Sequence, residues 1–195
     1  LVSPNQTTLY ARVRAAILEA AAAVLAERGE QASMADVAAA AGMARGTVYR
    51  YFPNRDALVE ALGRLAIESA GERLQAGRLQ EVAVPEAFER AVRALVGVGD
   101  YFVVVSRENG RPDAAEFERH VAAPLRALVE RGQSLGEIRA DLPASWLMES
   151  LIGIVVSGLR MRPSLGVEDT VAGIASLFLD GARLHADADA GPVAG

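Results

Sequence analysis

The sequence predicts an all-α protein, an N-terminal three-helix helix-turn-helix domain followed by a larger helical domain. Three observations carry this. Residues 33–58 read as two short helices joined by a glycine turn, then the start of a long helix. A capped amphipathic helix precedes them, over residues 8–28. After them, apolar stripes at three- and four-residue spacing recur between Gly and Pro breaks as far as residue 185.

In chain order, residues 1–6 carry Pro4 and polar residues, and read either as a loose tail or as an arm toward a partner, with Arg12 and Arg14 nearby. The helix 8–28 is capped by Thr7 or Thr8 and stopped by Gly29; Val13, Ile17, Ala20 and Val24 form its stripe. It would cover the back of the two short helices and close a small core. Ser33 with Asp36 three residues on is the S-x-x-D form of a capping box. The Ala-rich run 34–41 should be helix, ended by Gly42 with positive φ. A second short helix spans 45–52, with Val48 and Phe52 facing inward toward Val37 and Ala41. Pro53 cannot continue it, and Asn54 caps the next. The domain boundary is therefore set at 1–53 and 54–195, with a fourth helix, 54–78, linking the two through Leu58, Leu62 and Leu65.

Residues 80–84 read as a connector, and Pro85 suits the first turn of a helix running from 86 to about 107. Phe88, Val92, Leu95, Val96, Tyr101, Phe102 and Val105 wrap most of that helix, so it should be central in its domain. Residues 109–112 form a turn cluster, and Asp113 caps a helix through Phe117 and His120. Pro124 ends or kinks that helix and opens another to about Leu135. Two final helices span 144–161 and 167–185. The first has two apolar stripes, one of Leu147, Leu151, Ile154 and Gly158, the other of Met148, Ile152, Val155 and Leu159. The second carries Val171, Ile174, Leu177, Phe178 and Ala182. A helix with two apolar faces needs two partners, so this pair either meets a second subunit or completes an ordinary monomeric core. The tail 186–195 reads as disordered.

Composition narrows the function. At 195 residues and 51% hydrophobic, the chain can bury a sizeable core. It has no cysteine, and its two histidines lie far apart at 120 and 185, so no metal site and no cofactor is expected. No apolar run reaches membrane-spanning length and no segment reads as a signal peptide, which predicts a soluble cytoplasmic protein without a membrane partner. The net charge is −5, yet residues 1–60 hold six Arg and six acids and are neutral. Any DNA-attracting patch is therefore local, and non-specific affinity should be modest and steeply salt-dependent. No convergent acid, base and nucleophile and no Gly-rich phosphate loop is present, so the chain is not read as an enzyme.

The second short helix fits a reader of DNA. Arg45, Thr47, Tyr49 and Tyr51, with Arg55 just beyond, can all reach phosphates or base edges. Gly46 either lets that helix approach DNA closely or is a tolerated Gly near a helix end. The run A-A-A-G-M-A-R-G-T-V-Y-R-Y-F-P-N-R-D-A-L resembles the DNA-binding signature of the TetR (tetracycline repressor) family of bacterial regulators, and the likeness covers roughly residues 8–62. The resemblance implies that Arg45 and Thr47 read bases and that Ser33, Tyr49, Tyr51 and Arg55 hold phosphates. It also implies that helices 144–161 and 167–185 pair with their twins in a homodimer. Three positions depart from the family pattern: Ala44 where Ser or Thr caps the helix, Tyr51 where His is frequent, and Arg55 where Lys is frequent. Losing the cap should cost about 1 kcal/mol.

A dimer of such readers calls for a near-palindromic double-stranded DNA operator, and regulation calls for a small-molecule effector in the second domain. Candidate lining residues are Phe88, Tyr101, Phe102, Phe117, His120, Trp146 and Met148, although residues of these types in such stripes are more often plain core. The stripes carry few charges, so the effector is expected to be apolar. The function expected is thus a repressor released by such a ligand. The alternative is a helical small-molecule-binding or scaffold protein without sequence-specific DNA binding, which would leave residues 33–58 unexplained.

Overall fold

The structure is a computed structural model that describes residues 4–99, 101, 113–161 and 165–183. Every regular element among the described residues is helical. The helices are α1 (Pro4–Arg28), α2 (Met34–Ala40), α3 (Arg45–Tyr51), α4 (Arg55–Ala76), α5 (Val84–Val96), α6 (Ala114–Phe117), α7 (Ala123–Ser134), α8 (Ala144–Met161) and α9 (Val167–Ala182). The chain divides into two compact units, 1–71 with 98–120 and 72–97 with 121–195. The expected helix over 102–107, the turn 109–112, Phe102, and everything from residue 184 on lie outside the described residues.

In the first unit, α1 begins at Pro4 rather than at Thr8, so residues 4–6 are helix and not a loose tail. Proline is well suited to a first helical position, where its missing N–H would have no intrahelical partner anyway. The α1 stripe is broader than expected: Ile17, Leu18, Ala21, Ala22, Val24 and Leu25 are buried, while Val13 packs at the margin. They meet Val37 and Ala38 of α2, Val48 of α3, Phe52, and Leu58, Val59, Ala61 and Leu62 of α4 in one apolar cluster. The turn between α2 and α3 is made by Gly42 at φ +64, a left-handed conformation in which a Cβ would be strained. Asn54 caps α4 by accepting the Ala57 N–H at 2.8 Å.

In the second unit, α5 is the central helix, packed against α7, α8 and α9. Ala87, Phe88, Ala91 and Val92 are fully buried, and only its Glu86, Glu89 and Arg93 side stays open. The helix stops at Val96 instead of running to 107: Gly97 is its C-cap, and helical structure resumes at Gly99. Two glycines within three residues each weaken a helix interior by about 1 kcal/mol, which is enough to end it where packing does not insist. The segment α6 does not end at Pro124. It passes through a π turn at Glu118–Ala122 into α7, with Asp113 capping α6 through the Ala115 and Glu116 N–H groups. The wider turn accommodates the proline ring, which would otherwise meet the carbonyl four residues back.

Gly132 of α7 allows the close approach of the loop that follows. A Cβ there would lie 2.5 Å from Cγ1 of Ile138, a side chain fully buried and unable to swing aside. Gly132→Ala is expected to cost about 1–3 kcal/mol, read as a lower urea midpoint with unchanged slope. On α8 the two expected stripes merge into one buried face of Leu147, Met148, Leu151, Val155 and Leu159, with Ile152 and Ile154 half-buried. On α9, Val171, Ile174, Phe178 and Ala182 are buried as expected, but Leu177 is 70% exposed. Among the described residues no helix is long and apolar enough to cross a membrane.

Candidate nucleic-acid interface

The recognition candidates sit on α3 and on the two helix starts beside it. Helix α3 has only seven residues, and one buried side chain, Val48, anchors it to the core. Arg45, Gly46, Tyr49 and Arg50 are therefore turned outward, and Thr47 is half-buried. The start of α3 has no side-chain cap: Ala44 supplies only its carbonyl, to the Thr47 N–H at 2.9 Å and the Val48 N–H at 3.3 Å. An added Cβ at Gly46 would meet nothing within 4 Å. The protein's own packing therefore does not require glycine there.

Ser33 caps α2 as the spacing predicts. Its hydroxyl accepts from the Asp36 N–H at 3.2 Å and donates to the Asp36 carboxylate at 2.5 Å, while its own N–H donates to the same carboxylate at 2.8 Å. Those Ser33 bonds, with Arg28 at 2.7 Å, hold the Asp36 carboxyl below its ordinary value. Ser33 is exposed, but its hydroxyl is already committed at the helix start.

Tyr51 is half-buried and stacks on Tyr10 of α1, ring centroids 4.5 Å apart, with the Arg50 guanidinium 5.7 Å from the Tyr51 ring centre. Arg14 similarly lies 5.5 Å from the Phe52 ring centre. Tyr10 and Arg50 were not singled out by the sequence reading. Tyr10 comes early on a helix expected to begin only two residues before it, and its partner is 41 residues away in sequence. Arg50 does carry a signal in the sequence, as an arginine inside the motif.

Arg55 also has a structural role. Its guanidinium donates to the Ala32 carbonyl and, at 3.0 Å, to the Gly29 carbonyl, bridging the α1–α2 turn to the start of α4. Two of its five N–H donors thus brace the head. Arg55→Ala is expected to lower the melting temperature while leaving the salt slope of DNA binding unchanged. A lost phosphate contact would instead flatten that slope by about one unit.

The seven ligand candidates do not form one described cluster. Phe88 and Met148 are buried in the second unit, and Phe88 packs against Phe178 at 5.1 Å between ring centres. Trp146, in the first turn of α8, is 56% exposed and so points away from that core. Tyr101 packs at the margin of the first unit's apolar cluster, and Phe117 is half-buried in the same unit. His120 lies against Gly71, with its Nε2 3.3 Å from the Glu116 carboxylate. Among the described residues no cluster of three or more His, Cys, Asp or Glu could hold a metal ion.

Residues 17–62 match the family model described as bacterial regulatory proteins, tetR family. The chain is 29% identical over 147 residues to the HTH-type transcriptional repressor LfrR of Mycolicibacterium smegmatis, covering 75% of this chain and 77% of that protein. The crystal structure of the TetR-like regulator LfrR from Mycobacterium smegmatis in complex with proflavine is similar with a TM-score of 0.74 at 25% identity, over 89% of this chain and 99% of that one. A bacterial regulatory protein of the tetR family from Rhodococcus RHA1 is also similar in fold, with a TM-score of 0.74 at 18% identity, over 89% and 98% of the two chains.

Proposed function

Because this chain belongs to the TetR family of bacterial regulatory proteins and is a ligand-responsive DNA-binding transcriptional regulator, we propose that it acts as a homodimeric repressor. It binds a near-palindromic operator and leaves it when a small apolar ligand binds. The observation that carries the reading is the outer face of α3, where Arg45, Gly46, Tyr49 and Arg50 are open while Val48 and Tyr51 hold the helix down. Arg45 and Thr47 are assigned to base edges, Tyr49 and Tyr51 to phosphates, and the Ser33 cap to the positioning of α2 against the backbone. Residues 1–53 are the DNA-reading head, and 54–195 carry effector binding and dimerisation through α8 and α9. No enzymatic activity is assigned, and the protein is placed in the cytoplasm.

The ligand acts by binding the DNA-incompetent state more tightly; equal affinity for both states would shift nothing. The test is binding to DNA flanking its own gene against scrambled DNA of equal length, across a salt series. Specific binding with a steep salt slope is expected. Gly46→Ala sharpens the test. The fold has room for the methyl group and a helix interior prefers it by about 1 kcal/mol. The variant should therefore be at least as stable as the parent and bind operator more weakly. Unchanged operator affinity would mean that α3 does not press its first turn against DNA.

A further inference from the structure

Among the described residues of the second unit, Arg131 is a guanidinium whose chemistry the packing leaves unanswered. On Arg131 of α7 both Nε and Nη2 are buried, and neither has a hydrogen-bond partner among the described residues. These two nitrogens are the side-on edge of the guanidinium, whose parallel N–H groups match the two oxygens of a carboxylate or phosphate. Buried N–H groups of a cation are expensive to leave unpaired, and native structures nearly always supply an acceptor. Helix α7 supplies none. The residues one turn either side of Arg131 are Ala127, Leu128, Ser134 and Leu135, none of them acidic.

Placement on the helix is also informative. Gln133, on the opposite flank of α7, has both amide N–H groups used, donating to the Arg139 and Leu142 carbonyls at 2.9 Å each. The Arg131 flank carries Leu128, fully buried, and Leu135, 61% exposed. Arg131 as a whole keeps partial exposure, while its Nε and Nη2 are covered.

We propose that Arg131 anchors the oxyanion of the effector: a small molecule with an apolar body and a single carboxylate or phosphate group, held side-on by Nε and Nη2. This rests on the effector reading above and narrows its apolar ligand to an amphiphile with one anionic end. The fork holds the anion.

The experiment uses the full chain without DNA, so that its failure is separate from any failure of operator binding. Calorimetric titration at fixed ionic strength compares octanoate, octanol, octylamine and inorganic phosphate, on the parent protein and on Arg131→Met and Arg131→Lys. Octanoate is expected to bind the parent at least ~10-fold more tightly than octanol or octylamine. Arg131→Met should erase that preference, and Arg131→Lys should keep part of it, as a point charge without the fork. In the absence of any probe, Arg131→Met should melt higher than the parent, because it removes two unpaired buried N–H groups. Binding of phosphate but not octanoate supports the same anchor and assigns it to phosphate esters. Equal binding of octanoate and octanol, octanoate binding untouched in Arg131→Met, or no binding of either anion at millimolar concentration overturns the proposal.

Discussion

Phe88→Ala is expected to remove about 3–5 kcal/mol from the stability of the second unit. The ring is fully buried on the central helix α5 and packs at a tilt against Phe178 of α9. Its helical neighbours on the buried face are Ala87, Ala91 and Val92, also fully buried. Small side chains already at close approach cannot collapse into the space a phenyl ring leaves, so the cavity persists and the cost falls at the upper end of the range. Domains have only about 5–15 kcal/mol to lose, so the variant should melt at a markedly lower denaturant concentration. Urea unfolding followed by circular dichroism checks this. The same measurement separates the two readings of Phe88 that its sequence position allows. A wall of a ligand pocket would cost less than about 1 kcal/mol when truncated and would abolish ligand binding instead.

What the sequence could say depended on how local the physics was. The capping box at Ser33 and Asp36, the positive φ at Gly42 and the Asn54 cap are settled within a few residues, and each was legible. The inward face of Val37, Val48 and Phe52 follows from helical spacing and was equally plain. Arg55 was not legible, because its partners are carbonyls 23 and 26 residues earlier, and a motif marks an arginine without saying what it holds. The Tyr10–Tyr51 stack is hidden for the same reason.

Helix phase was the second limit. On α9 Leu177 and Phe178 are adjacent and both apolar, and adjacent helical positions differ by about 100°. Periodicity alone cannot decide which of the two faces the core; the structure buries Phe178 and exposes Leu177. Trp146 stands outward beside Leu147 and Met148 for the same reason. Proline was read correctly as a disturbance at 124, but whether a helix breaks or widens into a π turn depends on the packing around it. The unpaired edge of Arg131 has no sequence signature at all, since it is defined by acceptors that fail to come near.

On the proposed homodimer, Leu177→Arg is expected to give a monomer at micromolar concentration and to lower operator affinity by at least ~100-fold, with the helical fold intact. Leu177 is 70% exposed, the most open large apolar side chain of α9. One turn to either side lie Gly173 and Gly181, where an added Cβ would meet nothing within 4 Å. A leucine flanked by two bare turns is a knob beside two shallow holes, a surface that a second helix can approach closely. Because Leu177 buries little in the protomer, a charge there costs the fold almost nothing, and the loss falls on association alone. Operator affinity follows because two heads joined in one dimer bind two half-sites with a high effective concentration, which separate heads forfeit. Arginine at Val155 or Phe178 would not isolate this effect, since those side chains are 3% and 4% exposed and a buried unpaired charge would unfold the unit first. Sedimentation and operator titration of Leu177→Arg, with circular dichroism to confirm its helices, decide the point. A variant that stays dimeric would move the interface off this face of α9, and the exposed Trp146 on α8 would then be the next position to charge.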